Sequence, residues 1–200
     1  MSHIQKYFTN RAKHYQQSTK SLVWGWQRRR EAKIVLNFLG DIVGKEVLEL
    51  GCGAGFYTRL LIESGARHIT AVDFSQTMID QLPKNQITAI CEDAMDVKFN
   101  RQFNKIVSAG LLEFVPFPNH VLSNARKLAT DDGLMVCLIP PDNFAGKLYR
   151  QFHLKHGFKI NLFSQESFSK MANKNGWEVV SKVLIFPNAL VVSMKALKAR

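Results

Sequence analysis

The chain alternates short apolar runs with amphipathic stretches for most of its length. "KEVLEL" (45–50), "HITAV" (68–72), "QITAIC" (86–91), "NKIVSA" (104–109) and "LMVCLIP" (134–140) are near-continuous apolar runs bounded by turn residues. Such runs predict strands buried on both faces. Between them lie helical patterns. One runs from Gly55 to Ser64 with Leu60 and Leu61 inward, one from Ser75 to Leu82 stopped by Pro83, and one near Asn119–Ala129 closed by the turn Asp131-Asp132-Gly133. Before the first strand, "LVWGWQRRREAKIVLNFLG" (22–40) sets Val23, Trp26, Ile34, Val35, Phe38 and Leu39 on an inward face of a helix that stops at Gly40. After Pro140 the rhythm breaks. Residues 141–163 are aromatic and basic, and within them Phe144, Leu148 and Phe152 fall at i, i+4, i+8 on one stripe. A helix capped by Ser164, with Glu166 in its first turn and a stop at Asn175-Gly176, leads to "WEVVSKVLI", a Pro187-Asn188 turn and "ALVVSMKAL". The last two runs form a hairpin.

Strands alternating with helices predict an α/β fold: a Rossmann-like, seven-stranded, mostly parallel sheet with an antiparallel C-terminal hairpin strand and helices on both faces. The 200 residues suit a single domain. It divides into a helical N-terminal cap (1–40), a core (41–140), a lid or substrate insertion (141–163), and a C-terminal helix and hairpin (164–200). No run is long and apolar enough for a membrane span, and the N-terminus lacks the apolar stretch of a secretory signal. Three widely spaced cysteines, Cys52, Cys91 and Cys137, suit neither a disulfide framework nor a zinc site. They point to a reducing cytoplasm, and no metal site is expected.

Charge changes the picture at the ends. The net charge is +11; residues 1–45 carry nine basic and two acidic groups, 46–139 eight and eleven, and 140–200 ten and three. A near-neutral centre between basic flanks can attract nucleic acid, anionic headgroups or an acidic small molecule, or can be a solvated surface.

The chemistry lies where strands meet helices. In open α/β sheets ligands bind at the C-terminal ends of the strands. The first strand runs into "GCGAG" (51–55), and Asp73 closes the second strand 22 residues after Gly51. Glycines let a ligand approach the main chain, and a carboxylate in that place can accept both hydroxyls of a ribose. The spacing is G-x-G-x-G, without the extra residue of the dinucleotide fingerprint, and no G-x-x-x-x-G-K-[ST] occurs. Glu49, two residues upstream, would repel a pyrophosphate and suits a sulfonium or an α-amino group.

"VLELGCGAG", "AVDFS" and "EDAMD", in this order, resemble the class I S-adenosylmethionine-dependent methyltransferases, and "FNKIVSAGLLEFVPFP" is similar to the following stretch of their small-molecule branch. The match covers roughly Gly44 to Pro140. The resemblance implies S-adenosylmethionine as cofactor and S-adenosylhomocysteine as product. It implies that Gly51, Cys52, Gly53 and Gly55 shape the loop around the methionine moiety, oriented by Glu49. Asp73 would hold the ribose, with Phe74 beside the adenine. Met78 would pack against the adenosine or in the helix core. Asp93 would accept from the adenine amino group and Ala94 would read the ring edge. Ala109, Gly110 and Leu111 would floor the pocket. The chain departs from the pattern at Phe103-Asn104, where the family often has Phe-Asp, and at Glu113-Phe114-Val115, where many members have Glu-His-Val.

The acceptor is less explicit. No Asn/Asp-Pro-Pro-aromatic motif follows the fourth strand, and Cys137 lies inside the fifth, which argues against base methylation. "YFTNRAKHYQ" (7–16) and "NFAGKLYRQFHLKHGFKINLF" (143–163) are the candidate acceptor segments. They supply Tyr7, Tyr149 and Phe152, beside Glu113 and Phe114, as substrate residues, with His153 and Tyr15 as catalytic candidates. The Phe144 stripe can equally pack against the sheet, and His153 can equally be a surface group. Aromatic lining and a basic rim suggest O- or N-methylation of a small, aromatic or lipid-like acceptor with anionic character, with membrane-surface association possible. An RNA or ribosomal-protein methyltransferase using the basic flanks, and a non-catalytic S-adenosylmethionine-binding protein, are the competing readings.

Overall fold

The computed structural model describes residues 22–198. Helix α1 (Leu22–Leu39) precedes β1 (Glu46–Leu50), α2 (Phe56–Glu63), β2 (His68–Asp73), the single turn α3 (Gln76–Ile79), β3 (Ile87–Cys91) and β4 (Phe103–Ala109). Then come α4 (Pro118–Leu128), β5 (Ala129–Ile139), α5 (Phe144–Lys155), α6 (Gln165–Lys174), β6 (Trp177–Ile185) and β7 (Ala189–Ala196). The strands form one seven-stranded sheet in the order β3-β2-β1-β4-β5-β7-β6. β1 to β5 pair in parallel, while β7 runs antiparallel to both β5 and β6. The expected fold class is borne out, hairpin included.

Burial on both sheet faces explains the apolar runs. On one face Val47, Ile69 and Val107 pack against Ala32, Val35 and Leu39 of α1 and Leu61 of α2. On the other, Leu48, Ile106 and Met135 pack against Val121, Leu122 and Ala125 of α4 and Phe168 of α6. Trp177 at the start of β6 is wholly buried there and donates its indole N–H to the Leu122 carbonyl at 2.9 Å. Truncating such a side chain costs about 3–5 kcal/mol.

Three local expectations change. Trp26 points outward, 61% exposed, because the buried stripe of α1 passes through Ala32, Val35 and Leu39, and Trp26 lies off it beside Arg30. Val23 has no described side chain. Asp131-Asp132-Gly133 is not a separate turn but an irregularity inside β5. The register jumps from Phe103 opposite Ala129 to Lys105 opposite Leu134, and Asp132 accepts from Thr130 and Asn104 across the break. The stripe of α5 does not pack on the sheet: Phe144, Leu148 and Phe152 are 79%, 56% and 46% exposed. The face of α5 that packs inward carries Gly146 and His153 instead.

The chain leaves β1 for β2 on one side and crosses back to β4 on the other. The strand order therefore reverses at the C-terminal ends of β1 and β4, where a crevice is expected.

Candidate functional site

At this crevice the main chain after β1 turns sharply, with Gly51 at φ 76° and Gly53 at φ 51°. The loop is stitched to the end of β2: the Gly51 and Cys52 N–H groups donate to the Val72 carbonyl at 2.8 and 3.0 Å, and the Gly53 N–H donates to Asp73 Oδ2 at 2.9 Å. The two glycines do different work. A Cβ on Gly51 would lie 2.8 Å from Leu111 Cβ, so Gly51 is there for close packing. A Cβ on Gly53 would meet nothing within 4 Å, so this stretch of backbone is open to a ligand. Gly55 caps the N-terminus of α2.

Asp73 Oδ1 accepts from the Ser75 N–H at 2.9 Å, so each carboxylate oxygen has one main-chain donor and keeps a lone-pair site for another. Burial raises its pKa, against the lowering effect of those two N–H bonds. Glu49 lies beneath the loop, buried, with Oε2 accepting from the Thr58 hydroxyl at 2.6 Å. Burial pushes its pKa up to about 8, with Thr58 pulling the other way and Asp73 adding to the rise. Burial likewise raises the Cys52 thiol, so Cys52 is not a thiolate at neutral pH.

Three adjoining cavities open here. The first, about 620 Å³, is lined by Gly51, Cys52, Gly53, Asp73, Phe74 and Met78, with Ala109, Gly110 and Leu111 as its floor. Met78 is both buried core and wall. The second, about 520 Å³, shares Asp73, Phe74 and Leu111 with the first and adds Asp93, Ala94 and Met95. Together they make one trough. Asp93 closes its own turn, with Oδ1 accepting from the Met95 N–H at 2.9 Å. The third cavity, about 1050 Å³, meets the trough at Ala109, Gly110 and Phe114. Its walls include Arg28, Tyr57, Glu113, Tyr149 and His153.

Glu113 is the unusual group of the third cavity. It is 5% exposed, and its Oε2 has no hydrogen-bond partner among the described residues. Burial pushes its pKa up to about 8. Its loop is clamped from the segment after α5: Asn161 donates its main-chain N–H to the Glu113 carbonyl at 2.9 Å, and its side-chain amide to the Leu112 and Val115 carbonyls at 3.1 and 2.8 Å. His153 is not a surface group. It is 2% exposed, with Phe114, Tyr149 and Phe152 rings edge-on at 5.3, 4.5 and 5.5 Å.

Most of the residues expected from the sequence thus gather around one crevice. The exceptions are particular. Glu49 and Gly55 stand behind the trough wall without lining it. Phe152 lies on the outer side of α5 and touches the cavity only through His153. Tyr7 and Tyr15 lie outside the described residues.

A methyltransferase-domain family model matches residues 23–182, well over half of the chain. The chain belongs to the methyltransferase-domain family. Its resemblance to class I S-adenosylmethionine-dependent methyltransferases is thereby borne out. It is 33% identical over 125 residues to a ubiquinone biosynthesis O-methyltransferase of Coxiella burnetii, a match covering 58% of this chain and 53% of the relative. It is 24% identical over 172 residues to a malonyl-[acyl-carrier protein] O-methyltransferase of Priestia megaterium, covering 82% and 60%. The chain therefore spans about half to three fifths of the length of these curated relatives. Among solved structures, its fold is similar to magnesium protoporphyrin IX methyltransferase of Synechocystis with bound S-adenosylhomocysteine, at a TM-score of 0.75 and 16% identity over 96% of this chain and 98% of that one.

Within this methyltransferase-domain chain, sequence reasoning missed Arg28, Phe56, Tyr57 and Asn161. Arg28 stands four residues before Ala32 on the buried stripe of α1, a signal obscured by the Arg28–Arg30 run. Its guanidinium lies 4.7 Å over the Phe56 ring. Phe56 and Tyr57 are the two residues that follow Gly55, the last glycine of the loop. Asn161 carries no signal, because its partners are main-chain carbonyls about fifty residues away.

Proposed function

We propose that the protein methylates a small, largely apolar acceptor that carries an anionic group, using S-adenosylmethionine. The observation that carries the reading is the junction itself: a glycine-walled trough with an acidic end opens across Gly110 and Phe114 into an aromatic-walled cavity with a buried carboxyl.

The residues fit the cofactor. Asp73 has acceptor capacity on both oxygens for a ribose diol. Phe74 and Met78 offer apolar faces to a purine, with Asp93 and Ala94 at its edge. The open main chain at Gly53 admits the amino-acid portion, and among the described residues the trough is lined by no lysine, its cation being Arg28 at the junction with the third cavity. When bound, S-adenosylmethionine supplies a methyl group already activated on a sulfonium, so the protein mainly aligns, desolvates and manages a proton. Ala109, Gly110 and Leu111 floor the place where the trough meets the acceptor. Glu49 supports the loop from beneath.

In the acceptor cavity, Arg28 pairs with the anionic part, while Tyr149 and Phe114 hold the apolar body. Glu113 takes the acceptor's proton. Its raised pKa suits a base working near neutral pH better than an ordinary carboxylate. His153, held among three rings, shapes the cavity wall and is the second candidate for that role. Both curated relatives are named as O-methyltransferases, which favours an oxygen acceptor. Residues 41–140 serve as the cofactor core and 141–163 as the acceptor wall of a single cytoplasmic domain, with Tyr7, Tyr15 and Phe152 as further acceptor-side candidates.

Calorimetric titration with S-adenosylhomocysteine tests the trough: micromolar binding is expected, and no binding to folded protein would overturn the reading. Transfer of a radiolabelled methyl group to small molecules of a host extract tests the cavity. Label recovered only in RNA or protein would overturn the choice of acceptor.

A further inference from the structure

Helix α5 is built inside out. Its packed face carries Gly146, which sits so close to Pro141 that a Cβ would fall on the Pro141 carbonyl oxygen, and the buried ring of His153. Its solvent face carries Phe144, Leu148, Phe152 and Leu154, between 42% and 79% exposed. Lys147, Gln151 and Lys155 lie among them, also exposed, and no acidic residue occurs in the helix. Lys159 follows, exposed, just beyond the helix. Among the described residues the ion pair on this face is Asp142 with Lys147, at 4.0 Å. A second apolar group stands beside the helix entrance: Phe186, 80% exposed, lies in the β6–β7 turn, which Asn143 ties to the start of α5 through the Pro187 carbonyl at 3.2 Å. An ordinary surface helix hides its large apolar groups and shows its charges. Here large aromatic and aliphatic side chains are presented together with lysines, the pattern of a helix that lies in a lipid–water interface. Among the described residues no helix is long and apolar enough to cross a membrane, so the contact would be peripheral.

We propose that the outer face of α5, with Phe186, docks on the surface of an anionic lipid bilayer. The apolar side chains would enter the headgroup boundary while Lys147, Lys155 and Lys159 meet anionic headgroups. The opposite side of the same helix walls the third cavity through Tyr149 and His153. Docking therefore sets that cavity beside the bilayer, and its use for collecting a lipid-soluble acceptor rests on the acceptor reading above. Basic charge without exposed apolar groups would favour a nucleic acid. Apolar groups without lysines would favour a second copy of the chain. The two together favour the bilayer.

The test is co-sedimentation of the full chain with vesicles of phosphatidylcholine, with and without phosphatidylglycerol, at low and high salt. Binding to the anionic vesicles is expected to exceed binding to the neutral ones by about tenfold and to fall with salt. Phe144→Ser with Leu148→Gln is expected to lower anionic binding about tenfold. Lys147→Glu with Lys155→Glu is expected to erase the preference for anionic lipid. Calorimetry with S-adenosylhomocysteine on the same variants reports whether the trough is intact, so loss of docking and failure of the methyltransferase reading are read separately. Equal binding to both vesicle types, no binding at low salt, or unchanged binding by both variants would overturn the proposal. So would a lipid-free dimer that the Phe144/Leu148 variant dissociates.

Discussion

The trough and the cavity beside it are made in different ways. The trough's loop and acidic end come from neighbouring turns after β1 and β2, tied by main-chain hydrogen bonds: Gly51 and Cys52 to Val72, Gly53 to Asp73, Asp73 to Ser75. The cavity draws its walls from α1, the loop after β4, the end of β5, α5 and the start of β7, and its polar groups are side chains. A site held by main chain has few ways to change shape and suits an invariant cofactor. A site assembled from remote side chains can be altered one residue at a time and suits an acceptor. The difference predicts that substitutions in the trough act on cofactor affinity, and that substitutions in the cavity act on acceptor use and on pH response.

The largest expected effect is in the trough. Asp73→Ala removes the carboxylate that would accept two ribose hydroxyls and leaves the Gly53 and Ser75 N–H groups without their acceptor. Hydrogen bonds to charged groups contribute roughly 1.5–3 kcal/mol each, so S-adenosylhomocysteine affinity should drop by at least a hundredfold in calorimetry. An unchanged affinity in a folded variant would mean that the trough is not the cofactor site.

Glu113→Gln breaks the comparison from the other side. The folded-state pKa of Glu113 is raised by burial to about 8, whereas an unfolded glutamate titrates near its ordinary value of about 4.3. Between these values the folded state holds the proton that the unfolded state has lost. Stability is therefore highest below the unfolded pKa, falls as pH rises through the window, and levels off above the folded pKa. Glu49, also near 8, contributes in the same direction. Glu113→Gln removes the Glu113 contribution and should flatten the fall between about pH 5 and 8 by roughly 2–4 kcal/mol. Urea denaturation at a series of pH values measures it. S-adenosylhomocysteine affinity at neutral pH should hold, and methyl transfer to a hydroxyl acceptor should fail.

The same contrast explains what could be read in the sequence. The five parallel strands, the hairpin and the glycine turn were legible because buried strands leave continuous apolar runs and the turn needs glycine locally. Asp73 was legible because it closes a strand whose place is fixed by those runs, whereas Phe74, Asp93 and Ala94 came only with the family resemblance. The cavity was read only in part. Glu113, Phe114, Tyr149 and His153 fell in the right segments, but burial of His153 depends on which side of α5 turns inward. The size of the apolar groups pointed the wrong way, since Gly146 and His153 pack and Phe144, Leu148 and Phe152 do not. Trp26 failed for the same reason, being large and apolar yet off the buried stripe. Arg28 was hidden in a basic run, and Asn161 acts through carbonyls distant in sequence.

Asn161 sits where the two regions meet, so its removal should touch both. Asn161→Ala deletes the amide that donates to the Leu112 and Val115 carbonyls. Two such bonds contribute about 1–3 kcal/mol together. The loop bearing Leu111, Glu113 and Phe114 should loosen, and S-adenosylhomocysteine affinity should weaken several-fold, well short of the Asp73→Ala effect. Hydrogen exchange of the 111–115 amides reports the loosening directly. A loss of affinity as large as that of Asp73→Ala would show that the trough depends on side-chain clamps as much as the cavity does.

The smallest expected effect lies outside both. Ser164 caps α6 reciprocally with Ser167: its Oγ accepts from the Ser167 N–H at 3.0 Å, and its own N–H donates to the Ser167 Oγ at 3.1 Å. Ser164→Ala should cost about 1 kcal/mol of stability, read by denaturation. The cap directly follows Phe163, whose main chain bridges to Pro141 and whose N–H donates to the Pro140 carbonyl at 3.1 Å on the cavity wall. No main-chain bond of that kind links the cap to the glycine loop. A loosened cap should therefore reach the acceptor side first and leave S-adenosylhomocysteine affinity unchanged. If affinity falls in step with stability, the trough is not the self-supporting unit its main-chain stitching implies, and the two regions share one framework.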